Sequence, residues 1–117
     1  MAFDDALAER VRESLASVRW VTEIRMFGGL CFTVRGNMAV GVVGSELMVR
    51  VAKEDGDALL ERAHTRPMDF TGKQMRGFLY VARAGLRTKK SLQAWVDRGV
   101  GFASSLPPKK PSQRNAE

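Results

Sequence analysis

The sequence predicts an α+β fold in which an antiparallel β-meander forms one layer and an N-terminal and a C-terminal helix pack on it. Three short apolar runs between residues 26 and 51 are joined by two tight turns, Arg35-Gly36-Asn37 and Gly44-Ser45. Glycine and asparagine tolerate the positive φ angles that hairpin turns require. Apolar residues recur at helical spacing near both ends of the chain, and 117 residues fit one domain.

The first element is an amphipathic helix predicted over residues 4–17. Its apolar positions repeat every three to four residues, namely Phe3, Leu7, Val11, Leu15 and Val18. Asp4 or Asp5 supplies the N-cap acceptor and the negative charge that a helix start favours. A strand from Val21 to Met26 then leads into the meander.

The meander has two unequal faces. Alternation places Leu30, Phe32, Val34, Val40, Val42, Leu47, Val49 and Val51 on one face. The other face carries smaller or more polar residues, namely Cys31, Thr33, Ala39, Gly41, Met48 and Arg50. This asymmetry predicts helices on the first face and a partly open second face.

The chain then returns to helical character over residues 53–64, and Arg66-Pro67 is predicted to end this helix. A loop through Asp69, Phe70 and Gly72 is predicted to lead to a further strand over residues 75–81.

The last helix is predicted to start at a cap formed by Thr88 or Ser91. Its apolar stripe consists of Leu92, Trp95, Val96, Val100, Ala103 and Leu106. Gly99 follows Trp95 by one helical turn, which predicts close packing of the indole or of another backbone at that glycine. Pro107-Pro108 stops the helix. We therefore expect one domain over residues 1–106 and a disordered, polar and basic tail over residues 107–117.

The net charge of +6 is unevenly distributed, since residues 1–17 carry −2 and residues 67–90 carry +5. A basic surface attracts phosphate groups, although such charges also serve simply to keep a surface solvated. At Thr88-Lys89-Lys90-Ser91, backbone N–H groups, hydroxyls and two ammonium groups would suit an anion such as phosphate. The alternative is that both lysines extend into water. The candidate patch comprises Lys73, Arg76, Arg83, Arg87, Thr88, Lys89, Lys90 and Ser91.

Residues that could carry catalysis are few. His64 and Cys31 are the only histidine and cysteine, so neither a histidine cluster nor a thiolate zinc site is expected, and we predict no metal and no cofactor. A Cys31–His64 nucleophile pair is formally possible, but a cysteine inside a strand is commonly a small hydrophobic residue. Phe78 and Tyr80 alternate as core residues do, which argues against a stacking platform for single strands.

The cellular compartment is predicted from three absences. No apolar run reaches the length of a membrane span, the acidic N-terminus is unlike a signal peptide, and one cysteine excludes an internal disulfide. We therefore expect a cytoplasmic protein without a membrane partner.

Five local sequences, in order, resemble the TfoX N-terminal domain family, which is related to the Sxy/TfoX regulators of bacterial competence. They are Met26-Phe27-Gly28-Gly29 with Leu30-Cys31-Phe32, the turn Gly36-Asn37-Met38, Arg66-Pro67-Met68-Asp69-Phe70, Met75-Arg76-Gly77-Phe78, and Leu92-Gln93-Ala94-Trp95-Val96 with Leu106-Pro107-Pro108. The resemblance implies an α+β sandwich. Its motif residues look structural, with Gly28, Gly29 and Gly77 for backbone geometry and Phe27, Phe70 and Trp95 for the core.

The resemblance also implies a role in transcriptional control through a protein partner, such as a cAMP-receptor-type activator or RNA polymerase. Longer relatives carry a second, C-terminal helical domain. We therefore expect a non-enzymatic cytoplasmic regulator or adaptor, with weak nucleic-acid contact through the basic patch and a homodimer formed through an unpaired edge strand. The alternative is a small-molecule or anion-binding module whose site is the start of the last helix.

Overall fold

Six antiparallel strands form one open sheet in the computed structural model, which describes residues 3–26, 28–70 and 73–108, with the backbone alone at 69, 70 and 73–76. The strands are β1 (Val21–Met26), β2 (Gly29–Val34), β3 (Asn37–Val43), β4 (Glu46–Arg50), β5 (Thr65–Phe70) and β6 (Lys73–Val81). The helices are α1 (Asp5–Ser14), α2 (Lys53–Leu59) and α3 (Lys89–Ser104), and a short 3₁₀ helix (Arg83–Leu86) precedes α3.

The strand order in the sheet is β1-β2-β3-β4-β6-β5. The first four strands pair in sequence order as a meander, and β6 then pairs with β4 on one side and β5 on the other. The α+β prediction is confirmed. Because β1 and β5 are the two edges, each has one side free of strand pairing.

The loop predicted through Asp69 and Phe70 is wrong, because Thr65–Phe70 forms the edge strand β5. Arg66-Pro67 was used only to end the second helix, and proline is unusual inside a strand because it cannot donate to a sheet ladder. At a sheet edge one row of N–H groups needs no partner, so proline is tolerated there. The register of β5 against β6 shifts between Pro67 and Asp69, which absorbs the irregularity.

The second helix ends at Leu59, five residues before the predicted end. The Thr65 hydroxyl lies 3.2 Å from the carbonyl oxygen of Leu59 and 2.8 Å from that of Arg62, and it satisfies carbonyls that a longer helix would have bonded internally. His64 then adopts a positive φ of 69°, which turns the chain into β5.

The three helices pack on one face of the sheet and bury the main core there. Asp4 caps α1, as predicted, since its carboxylate accepts from the backbone N–H groups of Ala6 at 2.9 Å and Leu7 at 3.2 Å. The most buried members of this core include Val11, Phe32, Val40, Val42, Leu47, Val49, Leu79 and Leu92.

The predicted close approach at Gly99 is confirmed, and the neighbour is backbone rather than indole. A Cβ atom at Gly99 would lie 2.4 Å from the carbonyl oxygen of Ala39 and 2.7 Å from Cγ1 of Val40. The α3 helix therefore lies directly on β3 at this glycine.

Strand alternation fails at Ala39, which was predicted on the open face. The register between β2 and β3 shifts between Phe32 and Thr33, and the extra residue in β3 rotates Ala39 to the helix side. There it packs with Val34 and Ala103.

Phe27, Gly72 and the tail from residue 109 onward lie outside the described residues, and so does the side chain of Phe70, which was predicted in the core. Within the described ranges, each helix is too short or too polar to cross a membrane.

Candidate binding surface

The start of α3 has the predicted cap, but its hydroxyl groups are engaged within the fold. The Thr88 hydroxyl accepts a hydrogen bond from the backbone N–H of Ser91 at 3.0 Å. The Ser91 hydroxyl donates to the carbonyl oxygen of Gly85. The first bond caps α3, and the second joins α3 to the 3₁₀ helix, so the Ser91 hydroxyl proton predicted for an anion is used within the fold. Lys89 and Lys90 remain as exposed cations at this helix start.

The two lysines line an open depression of about 550 Å³ together with Gln93, Ala94 and Asp97. Asp97 accepts a hydrogen bond from the Gln93 amide at 2.9 Å. Among the described residues, no carboxylate forms an ion pair with either lysine. Cations in the first helical turn oppose the helix dipole, so their charges are not compensated locally.

The 3₁₀ helix begins at Arg83 and is followed directly by Arg87, and both side chains are exposed. Its Leu86 is buried, and the Leu86 carbonyl oxygen accepts a hydrogen bond from Arg10 Nη2 at 2.6 Å. Arg83 lines a cavity of about 160 Å³ against the start of α1, with Asp4 and Arg10 among its neighbours. Arg83 therefore faces α1, whereas the two lysines border a different depression.

Lys73 and Arg76 lie on β6, whose far end leads to Arg83. Lys73 pairs with Phe70 near the tip of the β5–β6 hairpin. At 3.3 Å per residue, the backbone of Lys73 is about 26 Å from Val81 along the strand. The side chains of Lys73 and Arg76 lie outside the described part of the chain, and their membership of the patch stays a prediction.

The second face of the sheet is more apolar than predicted. Register places six residues in one row across all six strands, namely Ile24, Cys31, Gly41, Met48, Tyr80 and Arg66. Cys31 and Met48 are fully buried, and Met68 joins them in a second apolar cluster. At the end of the row, Arg66 lies 4.5 Å from the Tyr80 ring centroid and forms two hydrogen bonds to the Glu46 carboxylate, at 2.5 and 3.0 Å.

Cys31 and His64 are not brought together. Three strands lie between β2 and the start of β5, which separates the two residues by about 19 Å at 4.8 Å per strand. Burial raises the pKa of the Cys31 thiol to about 11. Because the thiolate is the nucleophile, the folded protein holds Cys31 in an unreactive form, as its predicted role of a small hydrophobic residue requires.

We expect Cys31 to react with an aromatic disulfide reagent at least about 100-fold more slowly in the folded protein than in denaturant, because its pKa is two units above the ordinary value. Absorbance at pH 8 with and without guanidinium measures both rates. Equal rates would contradict the buried position of the thiol.

The other residues of the family motifs serve backbone geometry or core packing. Gly28 and Gly77 adopt positive φ angles of 73° and 87°. A Cβ atom at Gly29 would lie 2.2 Å from the carbonyl oxygen of Val42, so β2 and β3 approach closely there. Trp95 is buried in the main core with the guanidinium of Arg98 4.6 Å from its ring centroid.

The sequence analysis did not single out Trp20, which is 60% exposed in the structure. Periodicity identifies side chains that are buried, and Trp20 lies between α1 and β1, outside either period. The one signal in the sequence was a tryptophan beside Arg19 in a predicted connection, a place where an aromatic residue finds no core.

Comparison with known proteins gives one match. The model of the TfoX N-terminal domain family matches residues 13–103. The chain belongs to this family. A search of curated proteins and a search of solved structures each found no match. The TfoX N-terminal domain match spans all six strands and α2, and it also includes the start of α3 with Lys89 and Lys90.

Proposed function

We propose that this protein is a non-enzymatic cytoplasmic regulator or adaptor of the TfoX type, linked to transcriptional control through contact with a protein partner. The observation that carries the proposal is the family match over residues 13–103. The proposed partner is a component of the transcription machinery, either RNA polymerase or a cAMP-receptor-type activator, that presents an acidic surface.

The surface proposed for this contact is the start of α3, with Arg87, Lys89 and Lys90. All three side chains are exposed, and within the described ranges no ion pair neutralises them. Their backbone is fixed by the hydrogen bonds of Thr88 and Ser91. A fixed cluster of uncompensated cations steers an acidic partner and sets its orientation, and it needs no rearrangement on binding.

The engagement of the hydroxyls favours this role over the anion-binding module. A compact anion site at a helix start uses side-chain hydroxyls as well as backbone N–H groups. Here the Ser91 N–H donates to the Thr88 hydroxyl oxygen and the Ser91 O–H donates to the Gly85 carbonyl, so both donors of Ser91 are already used within the chain. Two lysines on an open depression fit a broad acidic surface better than a small enclosed ligand.

Reversing the charges of Lys89 and Lys90 to glutamate is expected to reduce recovery of the partner about tenfold, because each lysine contributes steering and contact energy at the interface. The measurement is affinity capture from bacterial lysate after nuclease treatment, followed by mass spectrometry and by titration with purified RNA polymerase. The substitution should leave the fold intact, since glutamate in a first helical turn interacts favourably with the helix dipole.

Lys53→Glu is the matched control, because Lys53 is the exposed first residue of another helix, α2. We expect this variant to capture the partner as the unaltered protein does. Equal loss in both variants would indicate a general charge effect, and an unaffected Lys89→Glu/Lys90→Glu variant would remove the start of α3 from the contact. Recovery of the protein alone, without polymerase or activator, would contradict the regulator proposal.

A further inference from the structure

Trp20 has an unusual position among the large apolar side chains of the described residues. It is 60% exposed, and its backbone adopts a left-handed conformation with φ of 67°. Such a conformation is unfavourable for a bulky residue and occurs in turns and at functional sites. The indole lies at the surface, outside the apolar clusters of the described chain.

The surroundings of the indole are positively charged. The Arg19 guanidinium lies 5.3 Å from the centroid of the Trp20 ring. The backbone N–H of Arg35, in the β2–β3 turn, donates to the Trp20 carbonyl oxygen at 3.0 Å. Arg35 is exposed, and neither arginine forms an ion pair with a carboxylate of the described chain.

The end of α3 is tied to the same corner. The buried side chain of Asn37, in the turn that carries Arg35, donates from Nδ2 to the Pro107 carbonyl oxygen at 2.8 Å. Residue 107, shortly after the end of α3, therefore lies beside the β2–β3 turn.

We propose that the corner formed by Arg19, Trp20 and Arg35, the Trp20 corner, binds single-stranded nucleic acid. An unpaired base stacks on the exposed indole, and Arg19 and Arg35 contact the phosphates. Carboxylates of an acidic protein would pair with the cations but would leave the indole face unused. In a duplex the base faces are stacked on one another, so the flat ring selects a single strand.

The Trp20 corner is distinct from the surface proposed for the protein partner. The 16 residues of α3 span about 24 Å, with Lys89 and Lys90 at the first turn and Pro107 beyond the last. Each site can therefore be altered without changing the other, and failure of one proposal does not decide the other.

Intrinsic fluorescence tests the proposal, because the chain has two tryptophans and Trp95 is buried. The probe is an oligothymidylate of about 12 nucleotides, within the site size of single-strand binding folds. We expect it to quench Trp20 emission at about 50 mM salt, and Trp20→Asn to weaken binding about 5- to 150-fold, as loss of one stacked base predicts. Asparagine accepts the left-handed backbone, so the thermal midpoint should not fall.

Lys53→Glu, at an exposed cation of α2, is the control variant and should change oligothymidylate affinity less than Trp20→Asn does. Three results would overturn the proposal. They are unchanged binding by Trp20→Asn, equal binding and quenching by the matching duplex, and equal quenching by a polyglutamate of the same charge. The last result would assign the Trp20 corner to an acidic protein partner instead.

Discussion

Replacing Gly99 with alanine is expected to lower the free energy of unfolding by about 3 kcal/mol or more, at the upper end of the range for overpacked cores. The added Cβ would lie 2.4 Å from the Ala39 carbonyl oxygen, a distance that no side-chain rotation can relieve because the neighbour is backbone. Either α3 shifts away from β3 or the strand distorts, and both outcomes loosen the contact between the two layers. Guanidinium denaturation followed by circular dichroism measures the change.

Gly101→Ala is the matched control on the same helix. Gly101 is exposed, and a Cβ atom there would have no neighbour within 4 Å. It borders an open groove of about 410 Å³ between α2 and α3. Alanine is a better helix former than glycine, so this variant should gain about 0.5–1 kcal/mol. Similar stabilities for the two variants would contradict the close approach of α3 and β3.

The prediction at Gly99 shows how much of the helix–sheet packing the sequence can indicate. The spacing of Gly99 after Trp95 located a close contact on the correct helix, because a glycine inside the apolar stripe of a helix usually has a packing reason. It left open whether the neighbour is the indole or another backbone. Only the strand order, which places β3 under α3, decides between them.

The two wrong predictions about strands share one cause. Sequence patterns report on a few consecutive residues, whereas the residues that a strand can accept depend on the strands beside it. The segment after Arg66-Pro67 was predicted as a loop, and the position of β5 at the sheet edge is what allows a strand to contain Pro67. Strict alternation assigned Ala39 to the open face of the sheet. A β-bulge, which no residue type in the sequence indicates, places it on the helix face instead. Both facts belong to pairing between strands, which the order of residues does not specify.

The candidate site was predicted in part. Charge counting located exposed cations at the start of α3, and the cap at Thr88 was as expected. The hydroxyl of Ser91 was assigned to a ligand because its partner, the Gly85 carbonyl, lies in a 3₁₀ helix that has no sequence period of its own. Trp20 was missed because an exposed aromatic side chain gives no periodic signal.

The second apolar cluster makes the largest remaining prediction. Met48→Ala is expected to lower the free energy of unfolding by about 3 kcal/mol, as for other large-to-small changes at fully buried sites. Met48 is 0% exposed and packs with Cys31, Met68 and Tyr80 on the face that carries none of the described helices. Urea denaturation of the folded protein and the variant measures the difference.

Met38→Ala is the matched control, since Met38 is half-buried and packs at the margin of the same cluster. It should cost about 1 kcal/mol, because part of its surface already contacts water. Met48 also has a neighbour that favours its position, since its Cε lies 3.1 Å from where a Cβ of Gly41 would be. The glycine thus leaves the space that the methionine fills. If Met48→Ala lowers the free energy of unfolding no more than Met38→Ala does, this face of the sheet is loosely packed. The expected difference would show that the sheet has a well-packed apolar core on each of its two faces.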